Sequence, residues 1–221
     1  MRLIRLPGMY RPQADTRLLV SAYVDQGLPS GARSVLDVGT GTGAVAMAVS
    51  AAGGGDCRVT AVDISRRAVW AARANSLCRR RGVAVRHGDL LEPVVGRVFD
   101  VVLANPPYVP APAPGLPGRG PERAWDAGHD GRLLLDRLCR QIPRVLRPGG
   151  SVLVVQSSLC GVDATLRTLG SVGLRAGVVA HSREPFGPVL HARARYLETG
   201  GLVEPGCREE ELVVIRGDRH S

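Results

Sequence analysis

The sequence predicts an α/β fold, a single doubly wound sheet of about seven strands, mostly parallel, with the last strand antiparallel to the rest. Three observations predict it. Short apolar runs alternate with helical stretches through most of the 221 residues. The first apolar run breaks into a glycine turn that opens a helix, as parallel crossovers do. Two late apolar runs follow one another without an obvious crossover helix, which suits an antiparallel pair at one edge of the sheet.

In chain order, residues 35–38 read as a buried strand and 44–52 as the helix after its glycine turn. Residues 58–63 form a second strand, and Ser65, a good N-cap, starts a helix reaching Arg81. Residues 83–87 and 99–104 are the third and fourth strands. Helical spacing covers 131–146, and Pro148-Gly149-Gly150 turns the chain into a fifth strand at 151–156. A helix over 162–172 precedes late strands at 175–180 and 211–216, separated by an insertion spanning roughly 184–207. The Pro/Gly-rich stretch 110–121 is a long surface loop rather than a linker, because the helix after it belongs to the same sheet.

Bulk composition narrows the class. Hydrophobic content is 44% with a mean hydropathy of +0.03, ordinary for a globular chain. No apolar run approaches the roughly 20 residues of a membrane span, and Pro7 and Pro12 interrupt any secretory h-region. Cys57, Cys78, Cys139, Cys160 and Cys207 show no C-x-x-C spacing, which argues for free thiols in a reducing cytoplasm and against zinc or a disulfide framework. The net charge is +9, yet all 29 basic residues are arginine, a pattern of GC-rich coding as much as of nucleic-acid binding. His87, His129, His181 and His191 show no ligand spacing, and no metal is expected. Trp70 and Trp125 read as packing residues, and Arg183, Arg193 and Arg195 as a solvated basic face.

Four constellations carry chemistry. In VLDVGTGTGAVAMAV, Gly39, Gly41 and Gly43 permit a tight turn that brings backbone against a ligand. Gly39, Gly41 and Ala44 also satisfy a loose dinucleotide fingerprint, but Asp37 at the strand end suits an amino-acid ammonium group better than a pyrophosphate. Asp63 ends the second strand, where a carboxylate can accept both hydroxyls of a ribose; alone it would serve equally as a helix-start acid. Asp89 follows the third strand, where it can take an adenine amino group or act as a turn residue. Three acids at the ends of successive strands mark the ligand edge of an open sheet. The fourth strand runs into Asn105-Pro106-Pro107-Tyr108. The prolines remove two backbone donors and leave carbonyl acceptors, Asn105 adds a side-chain acceptor, and Tyr108 adds a planar face and a hydroxyl. An amide or exocyclic amino nitrogen is a poor nucleophile because its lone pair is delocalised. Two acceptors on its N–H bonds fix its plane before an electrophile.

This order of glycine loop, Asp63, Asp89 and NPPY resembles the class I S-adenosylmethionine-dependent methyltransferases acting on nitrogen, with their Rossmann-like sheet. More narrowly it resembles the HemK-like protein glutamine methyltransferases, which modify the Gly-Gly-Gln loop of peptide release factors. Met9-Tyr10-Arg11-Pro12 with Asp15-Thr16 resembles the family's Tyr-x-Pro-x-Glu-Asp-Thr segment, with Ala14 in place of the Glu. Ala124-Trp125-Asp126 with Asp130-Gly131 resembles its Trp-Asp-Gly-Gly…Asp-Gly stretch. The resemblance implies cofactor contacts from Thr16, Asp37, Gly39, Asp63, Ile64, Asp89, Leu90 and Asn105, with Asn105 through Tyr108 holding the substrate amide. It implies one methyltransferase domain over 1–221, with an N-terminal segment (1–30) covering the cofactor site, a cofactor-binding core (31–160), and C-terminal strands with a substrate-side insertion (161–221). The family's bacterial release-factor enzymes carry an extra helical docking domain. This chain looks like the short archaeal and eukaryotic branch, some of whose members use a small zinc-binding activator subunit. The rival readings are a DNA or RNA adenine or guanine amino-methyltransferase, a non-catalytic nucleoside-cofactor-binding module, and a NAD-dependent enzyme.

Overall fold

The computed structural model describes residues 3–7, 9–26, 33–53, 57–118 and 120–220. Helix α1 (Ala14–Asp25) precedes strand β1 (Ser34–Val38), helix α2 (Ala44–Ala52), strand β2 (Arg58–Asp63), helix α3 (Arg66–Cys78) and strand β3 (Val83–His87). Strand β4 (Phe99–Ala104), helix α4 (Leu133–Gln141), strand β5 (Leu146–Ser157) and helix α5 (Val162–Ser171) follow. The chain closes with strand β6 (Leu174–Pro185), short helices α6 (Pro188–Ala192) and α7 (Ala194–Thr199), and strand β7 (Glu209–Arg219). One seven-stranded sheet has the order β3-β2-β1-β4-β5-β7-β6. The first five strands pair in parallel, and β7 runs antiparallel to both β5 and β6.

The sheet is doubly wound because its strands are apolar on both faces. Leu36, Val102 and Val152 face one core with Leu135, Leu138 and Leu169 from α4 and α5. Their neighbours Val35, Val101 and Leu153 face the other with Leu19, Val45 and Val69 from α1, α2 and α3. Strand order reverses between β1 and β4, and there Val38 sits in register with Ala104. The glycine loop and NPPY therefore leave the sheet side by side, at the switch point where open α/β sheets bind ligands.

Several boundaries moved for identifiable reasons. The Ser65 hydroxyl accepts from Ala68 N at 3.4 Å and caps α3 as expected, but the helix stops at Cys78 because Arg80 turns left-handed at φ +52°. The helix expected over 131–146 is only Leu133–Gln141, since Pro143 converts the next turn to 3-10. The Pro148–Gly150 turn is an excursion inside β5, where the register with β4 jumps from Phe99↔Leu146 to Val101↔Ser151. Both late strands are longer than their apolar runs, and Phe186 N donates to Arg208 O at 2.8 Å to close the segment between them. Helix α1 was not foreseen as a helix. The expected 30/31 boundary lies outside the described residues. Trp70 is not a packing residue: it stands 56% exposed on the outer face of α3. Among the described residues no helix is long and apolar enough to cross a membrane.

Helix α1 is held by Leu19 and Ala22, both buried against the sheet. Leu19→Ala is expected to destabilise the fold by about 2–5 kcal/mol through lost burial and a residual cavity. Urea unfolding measures this, and a loss well under about 1 kcal/mol would contradict the packing described.

Candidate functional site

A cavity of about 720 Å³ opens at the C-terminal ends of β1 through β4. Its floor is the glycine loop. Gly39, Gly41 and Gly43 all have positive φ (+74°, +55° and +84°), a conformation L side chains rarely adopt. A Cβ on Gly39 would lie 3.1 Å from the Asn105 carbonyl oxygen, so this glycine lets the loop and NPPY touch. Asp63 anchors the loop from the end of the neighbouring strand β2: its Oδ2 accepts from Gly41 N and its Oδ1 from Ser65 N, both at 2.8 Å. Burial raises its carboxyl above the ordinary range against the pull of these bonds.

Asp37 occupies a different place from the one expected. It is 1% exposed and stands behind the cavity wall, as Gly43 does. Its Oδ2 accepts from the Thr40 hydroxyl at 2.6 Å and from Ala46 N at 3.1 Å, tying the loop to the start of α2. Burial lifts its carboxyl to about 6. An acid so enclosed shapes the loop rather than lining the cavity.

At the far end, Ile64, Asp89 and Leu90 line the cavity, with Leu90 left-handed at φ +45°. Asp89 is ion-paired with Arg137 of α4 at 2.6 Å, a partner the sequence reading missed. Trp125 is half-buried and also lines the cavity.

The NPPY end is organised by a residue not ranked among the candidates. Asp15, in the first turn of α1, is 3% exposed. Its Oδ2 accepts from the Tyr10 hydroxyl at 2.9 Å, Asn105 Nδ2 at 3.0 Å and the Tyr108 hydroxyl at 3.2 Å. Its Oδ1 accepts from Thr16 N at 2.5 Å. The Tyr108 hydroxyl is thus engaged with a carboxylate and its ring belongs to the core, so it presents less to the cavity than expected. Burial and then the Asp15 charge push the phenols of Tyr10 and Tyr108 above their ordinary range. Pro106 and Pro107 line the cavity beside Asn105. The three arginines expected as one solvated face separate: Arg183 and Arg195 are exposed, but Arg193 is enclosed and paired with Asp126 at 2.6 Å.

The Methyltransferase small domain family matches residues 1–113. A "Putative protein N5-glutamine methyltransferase" of Methanocaldococcus jannaschii is 34% identical over 180 residues, 81% of this chain and 88% of that one. The chain belongs to the HemK-like protein glutamine methyltransferases. Release factor glutamine methyltransferase of Moorella thermoacetica is 38% identical over 152 residues, 65% of this chain and 53% of that relative. Among solved structures, the Mtq2–Trm112 complex of E. cuniculi, described as methylating the eRF1 translation termination factor, has a protein with the same fold. Its TM-score is 0.66 at 23% identity, covering 96% of this chain and 99% of that one. The two share the class I methyltransferase fold.

Glu210, at the start of β7, neighbours the Asp15 cluster. Its Oε2 is buried and accepts no hydrogen bond. Burial, then the charges of Asp15 and Glu184, raises its carboxyl to about 7. The folded state therefore holds a proton that the unfolded chain releases at lower pH, and stability falls as pH rises from the ordinary carboxylate range to about 7. Glu210→Gln is expected to raise the melting temperature at about pH 8.5 and to leave it nearly unchanged at about pH 4. Equal shifts at both pH values would contradict the assignment.

Proposed function

We propose that the protein methylates the side-chain amide nitrogen of a glutamine in the Gly-Gly-Gln loop of a peptide release factor, with S-adenosylmethionine as methyl donor. The observation that carries this reading is the orientation of Asn105. Its Nδ2 donates to the buried Asp15 carboxylate, which leaves Oδ1 as the acceptor beside the cavity. The prolines after it carry no N–H, so the backbone there offers carbonyls alone. A primary amide has two coplanar N–H bonds. Held by Oδ1 and a neighbouring carbonyl, it presents one face of its nitrogen to the cavity.

The residues present fit the donor. Gly41 has open space where a side chain would be, so the loop can pass close under a ligand. Asp63 stands where ribose hydroxyls would find an acceptor and Asp89 where an adenine amino group would. Thr16, Ile64 and Leu90 line the same volume, and Asp37 with Gly43 holds the loop's shape from behind. When bound, S-adenosylmethionine supplies a methyl group already activated by the sulfonium charge. What remains for the protein is positioning and exclusion of water. Met9, Tyr10 and Pro12 of the N-terminal segment cover the cavity, held to α3 by Asn75, whose Oδ1 accepts from Ile4 N at 2.7 Å.

Incubation with labelled S-adenosylmethionine, a release factor and nucleic-acid-containing cell extract, with and without nuclease and with and without a small activator subunit, tests the substrate. Mass spectrometry is expected to find one added methyl group within the Gly-Gly-Gln peptide. Label confined to nuclease-sensitive material would instead identify a nucleic-acid acceptor. For the loop itself, Asn105→Ala is expected to lower turnover on the order of 10²-fold while cofactor affinity falls much less, and to destabilise the fold by roughly 1.5–3 kcal/mol because the buried Asp15 carboxylate loses one of its donors. Methyl transfer at close to the normal rate would remove Asn105 from the mechanism.

A further inference from the structure

We propose that the segment between β6 and β7 is a brace that positions the acceptor loop, with Arg193 and Tyr196 as its positioning residues. The inference rests on reading Asn105–Tyr108 as the loop that holds the acceptor.

The need for a brace is written in the loop's composition. Residues 106, 107, 110, 112 and 114 are proline, so the stretch after Asn105 has few N–H groups with which to fold onto itself. Its carbonyls require donors from elsewhere. The segment from α6 to α7 supplies two of them. Arg193 Nη1 donates to Pro110 O at 3.0 Å, across 83 positions of sequence, and the Tyr196 hydroxyl lies 3.0 Å from both Ala111 O and His129 O.

Arg193 has a second contact. The same Nη1 stands 2.6 Å from Asp126 Oδ1, with the side chains 18% and 10% exposed. Asp126 Oδ1 accepts no aligned hydrogen bond, so the pairing is by charge, in surroundings that weaken it little by solvation. Asp126 lies in the strip that runs parallel to the acceptor loop. Val109 N donates to Trp125 O at 2.7 Å, Ala127 N to Val109 O at 3.1 Å, and Ala111 N to Gly128 O at 2.8 Å. One guanidinium thus clips both strips together just beyond Tyr108. Phe186, Leu190 and Leu197 form a small apolar cluster against Val109 and Leu159, which fixes the segment to its target. From the other side the Cys160 thiol donates to Tyr108 O at 2.8 Å.

The test uses the full chain and a release factor containing Gly-Gly-Gln. Arg193→Met is expected to lower kcat on the order of 10²-fold, since a displacement of about 1 Å suffices for that. The KM for S-adenosylmethionine and its calorimetric Kd are expected to stay within about threefold, because the nucleoside end is untouched. Arg193→Lys keeps the charge opposite Asp126 and is expected to recover part of the lost turnover. If Arg193→Met fails to fold around its unpaired carboxylate, the double variant Arg193→Met/Asp126→Asn removes both charges and carries the same expectation. Tyr196→Phe is expected to show a smaller loss of the same kind. In a Trp70→Phe background, the anisotropy of Trp125 reports the strip without any acceptor, and is expected to fall in Arg193→Met. That readout separates the brace from the substrate reading: an unaltered protein inactive on release factor contradicts the substrate alone. Unchanged kcat in the folded single or double variant, or unchanged Trp125 anisotropy, overturns the brace.

Discussion

One carboxylate oxygen organises the NPPY end of the cavity. Asp15 Oδ2 accepts from Tyr10, Asn105 and Tyr108, residues drawn from the N-terminal segment and from the far end of β4. A buried carboxylate is tolerated only when hydrogen bonds replace its water, and hydrogen bonds to charge are each worth roughly 1.5–3 kcal/mol. The dependence runs in both directions. Asp15 is stable in the interior because three donors reach it, and the Asn105 amide has one orientation because Asp15 accepts its NH₂. Helix α1 is therefore a wall of the cavity, and the burial of Leu19 is what keeps the carboxylate in place.

The two ends of the cavity differ in rigidity. At the glycine loop, backbone and carboxylates interlock: Asp63 joins Gly41 to Ser65, and Asp37 joins the loop to α2. At the opposite end Asp89 meets Arg137 in a pair whose side chains are 26% and 41% exposed. Ion pairs so open to solvent contribute little, so Asp89 can exchange that partner for another donor at small cost. The site thus combines a preformed loop with an adjustable acid.

Sequence patterns that act locally were legible. Largely apolar runs marked β1, β2 and β4 because strands buried on both faces need no alternation, and Ser65 marked its helix by capping chemistry. The glycine loop, Asp63 and NPPY were legible because each requires particular residue types at a fixed place in the chain. Contacts made across long separations were not. Asp15 sits 90 positions from Asn105, and nothing in its own neighbourhood says which side chains will surround it. Arg193 looked like one of three surface arginines; only the folded chain sets it against Asp126. Asp37 was placed at the right turn but on the wrong side of the wall, since sequence does not say which way a strand-end side chain points.

The position of β7 has a consequence for how the molecule is made. It lies between β5 and β6, pairing Val154 with Ile215 on one side and Arg175 with Asp218 on the other. Until those residues leave the ribosome, β6 has no neighbour in the sheet and β5 presents a bare apolar edge. Pairing strands so distant in sequence is slow, because the loop entropy is lost before the contacts form. The nascent chain can complete its first five strands early and must then wait, with a sticky margin exposed, for β7 to slot in.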